Sequence, residues 1–107
     1  MSTKTVPLPP NPSAQAKFSR LAAAWRSARG PESSIVRLSM HPAYQQIIGM
    51  GEVAVPLILK ELEREPDHWF WALNAITGED PVPEEAKGIL REMTSAWLNW
   101  GKENGYC

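Results

Sequence analysis

The stretch HWFWALNAIT, residues 68–77, decides the fold. Wound at 3.6 residues per turn, Trp69, Phe70, Leu73 and Ile76 share one side while Trp71 and Ala75 take the other. Such a helix is apolar nearly all round, and a helix of that kind is normally sandwiched between neighbours. The rest of the chain must therefore supply amphipathic helices to enclose it. Trp69 and Trp71 lie about 200° apart on the helix and cannot both face one small core. Either one indole is only partly covered, as large indoles in small bundles often are, or one lines a groove or interface, where tryptophan is enriched.

The flanking residues punctuate this segment. Asp67 is placed to cap it and Gly78 to close it. Upstream, EVAVPLILKELERE (52–65) is helical in composition, with Pro56 early enough for its missing N–H to do least harm and Pro66 ending it. Gly49-Met50-Gly51 is a turn that follows a brief helix over 43–48. Pro42 separates that helix from another over 35–40, which Ser33 or Ser34 caps and which stops near His41, the residue before a proline.

Further out, Asn11 and Pro12 open a first helix that runs to about Arg29 and is ended by Gly30-Pro31. Its apolar stripe is Ala14, Phe18, Leu21, Ala22, Trp25 and Ala28, and Lys17, Arg20, Arg26 and Arg29 occupy the opposite face. Downstream, Pro83 with Glu84 and Glu85 suits a helix start. The stripe Ala86, Ile89, Leu90, Met93, Ala96, Trp97 and Trp100 carries that last helix to about Asn104, where Gly105 caps it. Nothing alternates with period two, so no strand is expected. The reading is an all-α, compact bundle of about five helices forming one domain over 12–107. Residues 1–11, with Pro7, Pro9 and Pro10, are an extended, flexible arm.

The totals agree with one folded domain. The chain has 107 residues, 43% hydrophobic and 21% charged, far from the composition that keeps chains disordered. The first residues lack the apolar run of a secretory signal and no segment has the length of a membrane span, so a cytoplasmic protein that does not enter a membrane is expected. Cys107, the single cysteine, closes no internal disulfide and completes no four-ligand metal site. The net charge of −1 hides an asymmetry: residues 1–40 sum to +5 and residues 41–107 to −6. A basic first helix lying on an acidic body accounts for this split; two faces for different partners is the alternative.

The segment MGEVAVPLILKELEREPDHWFWALNAITGEDP resembles one HEAT-type repeat. Ala54, Val55, Pro56, Leu57, Ile58, Leu59 and Leu62 carry the match in its first helix, and Ala72, Leu73, Ala75 and Ile76 in its second. The strings HPAYQQIIGMG and PDHWFWALNAITG also resemble a group of short uncharacterised prokaryotic proteins with no assigned activity. The HEAT resemblance implies a helical scaffold with a protein-binding surface, built around one HEAT-like hairpin. HEAT proteins usually stack many units, because one alone cannot bury its hydrophobic face, so here the first and last helices must cover it.

Chemistry has little to work with. His41 and His68 are the two imidazoles, and each reads as a residue of a helix start. No H-E-x-x-H, G-x-S-x-G, C-x-x-C or phosphate-loop pattern occurs. Glu61, Glu63, Glu65, Asp67, Glu79 and Asp80 read as a solvated acidic face, since no calcium-loop spacing accompanies them. No catalytic residue, metal or cofactor is expected. The expected function is a non-enzymatic protein-binding adaptor or inhibitor of the antitoxin-like, defence-related or phage-encoded kind. Trp69, Trp71 and Trp100 are its candidate contacts. The alternative is a nucleic-acid-associated accessory protein that uses Lys17, Arg20, Arg26 and Arg29, although a pI near 6.1 lacks the footprint of a dedicated binder.

Overall fold

Trp69 is the hub of the core. Its ring centroid lies 4.5 Å from that of Trp25, 5.6 Å from Phe18 and 5.8 Å from Tyr44, with which it stacks. The computed structural model describes residues 12–28 and 34–106. Among these it is all-α, with helices α1 (Pro12–Ser27), α2 (Ile35–Met40), α3 (Pro42–Gly49), α4 (Ala54–Arg64), α5 (Phe70–Thr77) and α6 (Leu90–Glu103). Short 3-10 turns at Gly51–Val53 and Glu84–Ala86 precede α4 and α6. The arm of residues 1–11, Arg29, the Gly30-Pro31 stop and Cys107 lie outside the described residues.

Helix α3 is the principal neighbour of both α1 and α5, while α6 rests mainly on α4. Helix α4 forms the apolar floor, burying Ala54, Val55, Leu57, Ile58, Leu59 and Leu62. One contiguous cluster runs from Phe18, Leu21, Ala22 and Trp25 of α1 to Trp97 of α6, with every helix contributing to it. No helix among the described residues is long and apolar enough to cross a membrane.

Local chemistry explains most boundaries. Ser34 Oγ accepts a hydrogen bond from Arg37 N and opens α2. His41 Nδ1 accepts from Ala43 N, so that imidazole caps α3, with Pro42 in the first helical position. Pro56 falls in the first turn of α4, where N–H groups have no intrahelical partner in any case. Gly78 closes α5 at φ +73°, with its N–H bonded to Asn74 O at 2.8 Å.

Two boundaries depart from the sequence reading. α5 begins at Phe70 rather than His68 because the Tyr44 hydroxyl is inserted into its first turn. That hydroxyl donates to His68 O at 3.0 Å and accepts from Ala72 N at 2.9 Å, taking the place of the helical bond between those two groups. The expected cap by Asp67 is displaced: the N-cap position is Trp69, which makes no side-chain cap bond, and Asp67 Oδ1 accepts instead from the adjacent His68 N at 2.7 Å, ahead of the helix. The expected continuous last helix is also broken. After the 3-10 turn at Glu84–Ala86, Gly88 adopts φ +89°, a left-handed conformation that no α-helix contains, and α6 starts two residues later.

Candidate binding groove

The break at Gly88 shapes the surface. A cavity of about 410 Å³ opens between α2, α5, the 78–89 loop and the start of α6. Its floor includes the buried rings of Tyr44 and Trp97 with Phe70 and Met93, and its rim includes Ile35, Trp71 and Leu90. Trp71 is 52% exposed, Ile35 54% and Leu90 38%. Val36, Met40 and Ile89, all exposed, sit beside these in the chain. Three of the seven exposed large apolar side chains among the described residues, Ile35, Trp71 and Leu90, thus line one cavity.

The polar rim is a short charged strip. Lys87 Nζ and Asp80 Oδ2 pair at 2.5 Å, and both residues line the groove with His68 and Asn74. The hydrogen bond from Lys87 holds the Asp80 carboxyl below its ordinary range, and the same bond raises the Lys87 ammonium. Beneath, burial pushes the Tyr44 phenol well above its ordinary value, the hydrogen bond from Ala72 N opposing and the Asp67 charge assisting. Its proton stays in place to bridge the first turn of α5. The wall at this point is therefore a fixed hydrogen-bonded unit.

The three tryptophans expected to contact a partner are not brought together. Trp69 has no exposed surface and belongs to the core, which corrects its assignment as a contact residue: rings from α1 and α3 cover the side that it occupies. Its buried Nε1 has no hydrogen-bond partner among the described residues. Trp100 is half-buried, edge-on to Trp97 and stacked on Tyr106 at 5.3 Å. It opens on a separate cavity of about 300 Å³ with Glu52 and Glu79, and Tyr106 closes that side by donating to Glu52 Oε2 at 2.9 Å. Trp71 alone of the three lines the larger groove.

The basic face of α1 is divided as well. Arg26 Nη1 is 2.5 Å from Glu61 Oε2 and 3.4 Å from Glu65 Oε1, and its Nε is 3.6 Å from Asp67 Oδ2. At the end of α1 the charge asymmetry is thus satisfied within the molecule, a basic helix end on an acidic one. Burial pushes the Glu61 carboxyl up, but the hydrogen bonds and charges of Arg64 and Arg26 outweigh that effect and hold it below its ordinary value. Lys17 and Arg20 remain exposed. No three His, Cys, Asp or Glu side chains among the described residues are arranged to hold a metal ion.

Sequence reasoning missed Ile35, Val36, Met40 and Leu90. A faint signal existed in α2: the hexapeptide IVRLSM is too rich in apolar residues for a two-turn helix that can bury one face. Leu90 gave none, because its position on an uninterrupted stripe predicts burial until the Gly88 break re-aims it. No family model, curated protein or solved structure matches this chain.

Proposed function

We propose that this chain is a non-enzymatic, cytoplasmic protein-binding adaptor or inhibitor whose contact surface is the Trp71 groove. The observation that carries the reading is the exposed indole of Trp71 facing exposed Ile35 and Leu90 across one apolar cavity. Isolated apolar residues on a surface are ordinary, but a gathered patch around a concavity marks a contact site. A half-exposed tryptophan at its edge is the residue type that most often dominates binding energy. The fixed α3–α5 wall behind it favours binding because little ordering is lost on association. The reading of α4 and α5 as a HEAT-type pair fits this role, supported by the glycine turn before α4 and by Pro56 in its first turn.

The nucleic-acid alternative is weakened by Arg26, whose guanidinium is committed to Glu61 and its neighbours. Affinity capture from the source cells tests the proposal. Wild-type protein should retain a partner that Trp71→Ala and Leu90→Ala both lose while keeping the wild-type circular dichroism, and Lys102→Ala, on an exposed part of α6, should retain it. Equal capture by all four proteins, or nuclease-sensitive capture lost on changing Lys17 and Arg20, would refute it.

A further inference from the structure

Charge and wall chemistry together restrict what the groove accepts, given the protein-binding reading on which this step rests. We infer that it seats a basic amphipathic helix of a partner protein, with the apolar edge of that helix against Trp71, Ile35 and Leu90. The bank that supplies Asp80, Val82, Lys87 and Leu90 to the groove is acidic. From Asp80 to Glu92 the chain exposes four carboxylates (Asp80, Glu84, Glu85, Glu92) against two cations, Lys87 and Arg91; Asp80 and Lys87 line the groove and the others flank it in the chain. Lys87 is already neutralised by Asp80. A docked segment therefore meets an excess of negative charge along this side, and lysines or arginines beside its apolar anchors are attracted to it. On the opposite side α2 brings Ile35 to the groove with exposed Arg37 nearby in the chain, so the positive charges of the docked helix belong on the loop side.

The walls argue for a helix rather than another peptide conformation. Among the described residues no strand edge borders the groove, so an added strand has no backbone ladder to join. Polyproline segments are gripped between exposed aromatic rings, whereas here Trp71 is the one largely exposed ring and its partners are the aliphatic Ile35 and Leu90. A helix laid in a groove offers its apolar anchors at i, i+3, i+4 and i+7 to aliphatic and indole side chains of this kind. A volume of about 410 Å³ suits a few such anchors and is within the range of sites that bury small ligands, roughly 300–1,000 Å³.

Panning a random library of displayed peptides, each about 16 residues or roughly four helical turns, against the immobilised protein tests this inference, with soluble Trp71→Ala protein as competitor. Enriched sequences should carry helical apolar spacing and more Lys and Arg than Asp and Glu. A synthetic copy should bind about tenfold more tightly than the same peptide with its cations changed to glutamate, an advantage that shrinks with salt. Glu84→Lys with Glu85→Lys should erase or invert that preference. Acidic or proline-rich enrichment, or none, overturns the inference. So does a dimer in sedimentation that Trp71→Ala abolishes, which would make a second copy the occupant. In each of those cases the groove reading survives if the native partner is still lost with Trp71→Ala. Basic peptides that bind Trp71→Ala and Leu90→Ala as well as wild type would bring down both.

Discussion

Trp69 and Trp71 leave the same turn in opposite directions, the first with none of its surface exposed and the second with 52%. The first indole is enclosed by Phe18, Trp25 and Tyr44, three rings from two other helices. The second stands over an apolar cavity with no described ring within stacking distance. Two chemically identical side chains thus occupy opposite environments, one inside the core and one at the surface.

That division has a measurable energetic signature. Trp69→Ala should destabilise the fold by about 3–5 kcal/mol, the range for removing a buried large aromatic. Trp71→Ala should change it by less than about 1 kcal/mol, as expected of a surface position. Urea denaturation followed by circular dichroism checks both, and similar losses for the two would contradict the arrangement.

Tyr44 provides a second test. Its hydroxyl joins His68 O to Ala72 N inside the first turn of α5. Tyr44→Phe leaves those two groups without that bridge and should cost about 1–3 kcal/mol. Hydrogen exchange should show the loss as faster exchange at the Ala72 amide, with α6 amides little changed relative to global stability.

The Arg26–Glu61 contact gives a pH dependence. Because the folded carboxyl of Glu61 lies below its unfolded value, its stabilisation is complete above the unfolded value, about 4.3. It is lost as pH falls through the lower folded value. Glu61→Gln should therefore be less stable than wild type by about 1–2 kcal/mol at neutral pH. The difference should narrow as pH falls below the ordinary carboxylate range and should not grow between pH 6 and 8, as denaturation midpoints from neutral to acid pH will show.

Gly88 marks the break before α6. With φ +89° and open space around the position of a Cβ, the penalty for a side chain is backbone strain alone. Gly88→Ala should cost about 1 kcal/mol or more. Gly49→Ala, in equally open space but with ordinary helical geometry, should be neutral or stabilising by up to about 1 kcal/mol. Thermal or chemical denaturation of the pair separates the two effects.

Much of this architecture is written locally. Ser34, the His41-Pro42 pair and Gly78 set element boundaries through their own backbone preferences, so α2, α3 and the end of α5 follow from the sequence. The start of α5 does not, because the group that interrupts it comes from Tyr44, on another helix and far away in the chain. The break at Gly88 is ambiguous for a different reason: a glycine within a helical stripe costs only about 1 kcal/mol, so local propensity leaves both outcomes open. The angular separation of Trp69 and Trp71 implies that they cannot share one core. Which of them turns outward depends on Phe18, Trp25 and Tyr44, whose convergence is a property of tertiary packing. The groove shares that difficulty, since α2 and the Gly88 turn meet only in the folded chain.

Photo-cross-linking from a benzophenone side chain placed at position 71, compared with the same group at position 17 on the exposed basic face of α1, tests the binding surface most directly. In source cells the account predicts a discrete protein adduct from position 71 and none from position 17. An adduct to protein or nucleic acid from position 17 with nothing from position 71 would contradict it.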